Sequence, residues 1–63
     1  MSYNYENTEL LTFEEFVEAL SISDSFAYKL LSRGTIRGIK LGRVWRIPRK
    51  SIDEYIMKKL ADS

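Results

Sequence analysis

Between Lys29 and Lys50 the chain carries eight cations and no acid: Lys29, Arg33, Arg37, Lys40, Arg43, Arg46, Arg49 and Lys50. Cations at this density attract a polyanion, because each one that neutralises a phosphate releases a condensed counterion. The net charge of +1 conceals the run. Residues 1–28 hold six acids and no base, whereas residues 29–63 hold ten bases and three acids. A solvated basic face without a partner is the plain alternative. An unbroken run of this kind in a small folded domain nevertheless favours nucleic acid. The acidic N-terminal part would then sit away from the phosphates.

Other chemistry is poorly supplied. There is no Cys and no His, hence no disulfide framework, no thiolate zinc site and no imidazole base. An active site would have to be built from carboxylates, and Glu14, Glu15 and Glu18 fall on the exposed side of a short helix. A domain this small has little room for a concave catalytic pocket. No glycine-rich loop suits a phosphate-bearing cofactor. Neither an enzyme nor a cofactor or metal is expected.

The elements that must position the cations follow from local signals. Thr12 reads as a helix N-cap, and Glu15 three residues later completes a capping box. Phe13, Phe16, Val17 and Leu20 recur at i, i+3, i+4 and i+7, one face of a helix over residues 13–20. Leu10 and Leu11 suit a short strand before it. Ser21, Ile22 and Ser23 interrupt the pattern. Ser23 is a second N-cap, with Ile22 placed to pack on Ala27 as a hydrophobic staple. A second helix runs from Asp24 to about Arg33, and Gly34 supplies its stop. Two short helices joined by about three residues form a helix-turn-helix.

The period then changes to two. Ile39 and Leu41 alternate with Lys40, and Trp45 and Ile47 alternate with Arg46, as in two strands of a hairpin. A two-residue tip would set Trp45 opposite Lys40 and mix core with solvent faces. A three-residue tip of Gly42, Arg43 and Val44 sets Leu41 opposite Trp45, Ile39 opposite Ile47 and Lys40 opposite Arg46, leaving one face wholly apolar. The three-residue tip is therefore expected, with Trp45 in the core. Pro48 ends the hairpin, and Ile52, Tyr55, Ile56 and Leu60 mark a last amphipathic helix over about 49–60.

At about 100° per residue, Ala27, Leu30 and Leu31 share the core side of the second helix. Ser25, Lys29 and Ser32 lie opposite, flanked by Tyr28 and Arg33. These groups suit phosphates and base edges, although an ordinary exposed face would look similar. The hairpin decides for the former. Arg43 at its tip, with Lys40 and Arg46 on its outer face, forms a cationic finger suited to the backbone or the minor groove. Lys29, Arg37, Arg49 and Lys50 are expected to supply further phosphate contacts.

These residues resemble the excisionase-type DNA-binding domains with a MerR-like winged helix-turn-helix, an α+β fold. The resemblance covers about residues 10–60. It is carried by Leu11 and Thr12 with Glu14 and Glu15, by Ile22 and Ser23 with Tyr28 and Lys29, and by Arg33 and Gly34 with Ile36. The most specific part is the run KLGRVWRIPR over residues 40–49. In such proteins the second helix enters the major groove of double-stranded DNA and the wing touches the adjacent backbone or minor groove. The resemblance thus implicates Ser23, Ser25, Tyr28, Lys29 and Arg33 on the helix, and Lys40, Arg43 and Arg46 on the wing. Family members often carry a basic residue where this chain has Asp24, and a Thr where it has Phe26. Asp24 repels phosphate, yet it suits a helix N-terminus and could accept from a cytosine amino group.

The resemblance implies one of two jobs. One is a recombination directionality factor that bends DNA beside an attachment site and helps an integrase excise a mobile element. The other is a small transcriptional regulator. Sustained heptads are missing up to Ser63, so a coiled-coil dimer is not expected. Copies binding side by side on repeated sites are. A third reading, from the charges alone, is a protein-interaction module whose acidic half, with Glu14, Glu15 and Glu18, docks a basic partner.

The 63 residues, 44% of them hydrophobic, bound a single domain. Residues 1–9 read as a flexible tail, 10–60 as the domain and 61–63 as its C-terminal end. No apolar run reaches the roughly 18 residues of a membrane span, and the start lacks signal-peptide character. A cytoplasmic location is expected.

Overall fold

The computed structural model describes residues 9–63. Residues 1–8 of the expected tail lie outside them. The elements run β1 (Leu10–Thr12), α1 (Phe13–Leu20), α2 (Asp24–Ser32), β2 (Ile39–Leu41), β3 (Val44–Pro48) and α3 (Arg49–Asp62). This is a small α+β winged helix-turn-helix: two helices, a hairpin wing and a closing helix, with β1 added to the hairpin.

The local signals account for the helices. Thr12 Oγ1 accepts from the Glu15 N–H at 3.1 Å, and the Thr12 N–H donates to Glu15 Oε1 at 2.9 Å. Two orphan donors of the first turn are thereby satisfied. Ser23 Oγ accepts from the Phe26 N–H at 3.1 Å and caps α2. Beyond α2, Gly34 takes φ +74° and its N–H donates to the Leu31 carbonyl at 3.1 Å. Ser21 ends α1 at φ 53°, a left-handed position that sequence reading did not single out.

The strands form one antiparallel sheet in the order β1-β3-β2. Leu11 pairs with Ile47 across β1 and β3, and one backbone bond extends that edge, from the Arg49 N–H to the Glu9 carbonyl at 2.8 Å. Glu9 is thus engaged by the fold.

The hairpin register differs from expectation. Ile39 pairs with Arg46, Lys40 with Trp45 and Leu41 with Val44, so the tip is the two residues Gly42 and Arg43. Gly42 takes φ +65°, while Arg43 is not at positive φ; a glycine first in a two-residue tip suits a type II′ turn, whose twist matches the flanking strands. The apolar alternation misled because it presumed burial of Ile39 and Leu41. They are 43% and 56% exposed, so the turn, not a buried face, sets the register.

The core gathers Leu11, Phe16, Ala27, Leu30, Leu31, Ile36, Ile47 and Ile52, with Phe13, Val17, Leu20, Ile22, Trp45 and Tyr55 packed partly buried around it. Trp45 therefore turns inward, as does Tyr55. Gly38 lets the backbone pass close to this core: a Cβ there would lie 2.9 Å from Leu31 Cδ2 and 3.2 Å from Trp45 Cε3. The expected apolar stripe of α3 is covered only in its first half. Ile52 is buried, whereas Ile56 is 38% and Leu60 64% exposed. Periodicity places them on one stripe, but α3 continues to Asp62 and its later turns stand clear of the core. No helix of the described residues is long and apolar enough to cross a membrane.

Candidate nucleic-acid interface

The buried side of α2 is Ala27, Leu30 and Leu31, which fixes what the other side presents. Ser25, Tyr28, Lys29, Ser32 and Arg33 are all exposed. Ser32 Oγ donates back to the Lys29 carbonyl at 3.4 Å, so it is partly committed. Ser23 and Asp24 are exposed at the start of the helix. The Ser23 hydroxyl already caps it, while the Asp24 carboxylate sits where the helix dipole favours negative charge. Tyr28 leans on α1: its ring stacks on Phe13 with centroids 4.3 Å apart and planes at 22°.

On the wing, Arg43 occupies the exposed tip with no partner among the described residues. Lys40 and Arg46 do not share an outer face. Residues directly opposite in an antiparallel pair lie on one face, so the observed register puts Lys40 beside Trp45 and puts Arg46 beside Ile39. Lys40 Nζ lies 5.7 Å from the Trp45 ring centroid, a cation–π approach that keeps it on the indole. Arg46 is half-buried, and its Nη1 donates to the Trp45 carbonyl at 2.9 Å. The same register exposes Ile39, Leu41 and Val44. These apolar neighbours of Arg46 and Arg43 were assigned inward, or to the tip, from sequence; the two-residue glycine turn was the signal that could have placed them.

The flanking cations divide. Arg37 is exposed and without a partner among the described residues. Arg49 Nε meets Glu9 Oε1 at 3.0 Å in an exposed pair, and Lys50 is exposed beside it. Arg49 and Lys50 open α3, whose first turn holds no acid and whose N-cap Pro48 supplies no side-chain bond. Cations there oppose the helix dipole, a cost that the Arg49–Glu9 pair offsets in part.

A helix-turn-helix with an exposed polar face on its second helix and an arginine-tipped wing is the architecture of a DNA-binding domain. The helix-turn-helix domain family matches residues 10–60, and the chain belongs to that family, of the excisionase type. It is similar to a "Probable excisionase" of Saccharopolyspora erythraea, with 38% identity over 55 residues, which is 87% of this chain and 56% of that protein. The chain thus spans little more than half the length of this relative. No solved structure matches it.

Proposed function

We propose that the chain acts as an excisionase: it binds and bends duplex DNA near an attachment site so that an integrase can excise a mobile element. In this reading α2 lies in the major groove with Ser25, Tyr28, Lys29 and Arg33 toward the duplex, and Ser23 and Asp24 at the entering end. The wing reaches the adjacent backbone or minor groove through Arg43, with Lys40 and Arg46 on its two sides. Arg37, Arg49 and Lys50 contact flanking phosphates. Further copies bind side by side on repeated sites.

The observation that carries the proposal is the wing tip. Arg43 projects at the turn with Leu41 and Val44 exposed beside it. That pairing of a cation with apolar flanks suits a minor groove, whose negative potential draws arginine and whose sugar walls are apolar. The acid-free run from Lys29 to Lys50 supplies the attraction for the backbone.

Footprinting on an attachment-site fragment tests this. Adjacent protected segments, with hypersensitive positions marking a bend, are expected from the wild type and are weakened by Arg43→Ala. Protection of a single promoter site, with no effect on excision, would favour a small transcriptional regulator instead.

One feature favours a protein-interaction role alongside. A shallow groove between α1 and the start of α2 has Phe13, Val17 and Ile22 in its lining and Glu14, Glu18 and Asp24 around them, and no described residue of that lining is a cation. A partner captured there that survives nuclease treatment, from a protein giving no duplex shift at physiological salt, would make this the primary role.

A further inference from the structure

We infer that Phe13 is a positioning residue for DNA recognition: by stacking on Tyr28 it holds that side chain so that its hydroxyl meets the duplex. The inference rests on the reading of α2 as the DNA-contacting helix, and it brings in a residue of α1 that belongs to no DNA contact proposed above.

Three rings form a ladder from the core to the surface. Phe16 is fully buried. Phe13, partly buried, meets it edge-on, with centroids 6.4 Å apart and planes at 66°. Tyr28 then stacks on Phe13 at 4.3 Å and 22°. Both arrangements are favoured geometries of aromatic pairs, so the exposed ring is tied to the best-buried one. Tyr28 remains 51% exposed, and its hydroxyl has no hydrogen-bond partner among the described residues.

Two consequences follow. One face of the Tyr28 ring is occupied by Phe13, so the ring cannot be sandwiched between bases. What it offers the duplex is a phenol oxygen that can donate and accept, at a place fixed before binding. A side chain ordered in the free protein loses less conformational entropy when it binds. Phe13 therefore acts on affinity through Tyr28, without touching DNA.

A double-mutant cycle reads this directly, using a duplex selected by the wild-type protein from a random-sequence pool. Tyr28→Phe keeps the stack and removes only the hydroxyl, and affinity is expected to fall roughly 3- to 10-fold. In a Phe13→Leu background the same hydroxyl removal is expected to cost less than about twofold, because an unheld ring has already lost its placement. Phe13→Tyr, which keeps an aromatic ring at the position, restores the full Tyr28→Phe effect. Circular dichroism establishes folding of each variant, and Phe13→Met replaces Phe13→Leu where the latter does not fold. The upfield ring-current shift of the Tyr28 ring protons, present in the free wild type, should vanish with Phe13→Leu. Equal losses from Tyr28→Phe in both backgrounds would overturn the inference and leave the DNA-binding reading standing. A wild-type protein that selects no duplex would overturn that reading itself.

Discussion

Arg43 and Arg46 are neighbours in the wing but stand in different circumstances. Arg43 is exposed and unpartnered among the described residues, so Arg43→Ala should leave the melting temperature within about 4 °C, as for ordinary surface changes. It should weaken binding to duplexes of every sequence alike and reduce the salt slope by roughly one contact, about 0.9. Arg46 donates to the Trp45 carbonyl, so Arg46→Ala should weaken binding and also lower stability by about 1 kcal/mol. Titration of labelled duplexes beside thermal melts separates the two effects. Lys40 was placed with Arg46 by the alternation of the strand. The register puts it over Trp45 instead, and only knowledge of the turn could have shown this.

At the level of elements, the helices were legible and the wing only in part. Thr12 with Glu15, Ser23 and Gly34 are signals that act within three or four residues, so the boundaries of α1 and α2 follow from sequence alone. Thr12→Ala should cost about 1 kcal/mol, or a melting temperature lower by roughly 4–8 °C in a domain of this size. Ser21 in a left-handed conformation is a local cost that the sequence does not advertise. Ser21→Gly should relieve it and gain up to about 1 kcal/mol, part of it offset by the freer unfolded chain. Gly38→Ala goes the other way: the new methyl presses on Leu31 and Trp45, and a loss of about 1–3 kcal/mol is expected in denaturant unfolding. Register and coverage were not legible because they depend on what lies across the sheet or beyond the helix. The alternation of Ile39 and Leu41 looks the same whether the strand is covered or projects, and so does the stripe of Ile52, Ile56 and Leu60.

Over the whole molecule, charge and burial separate the tasks. Among the described residues, Glu14, Glu15 and Glu18 lie on α1 and Asp24 opens α2, while Glu9 precedes β1 and pairs with Arg49. The cations follow from Lys29 on, along α2, the loop, the wing and the start of α3. The core that joins them is small, eight buried hydrophobic residues among the described residues, and a domain of this size buries only about 60% of its unfolded surface. Marginal stability follows, so ligand binding should be visible as a rise in melting temperature with added duplex. A basic segment that works on a nucleic-acid backbone must bind it in a salt-dependent way. Titrating the wild-type protein onto a fluorescent duplex over a series of salt concentrations measures this most directly. Logarithmic affinity should fall linearly with the logarithm of salt, by roughly 0.9 per phosphate contacted and so with a slope steeper than about −3. A slope near zero, or no binding at low salt, would contradict it.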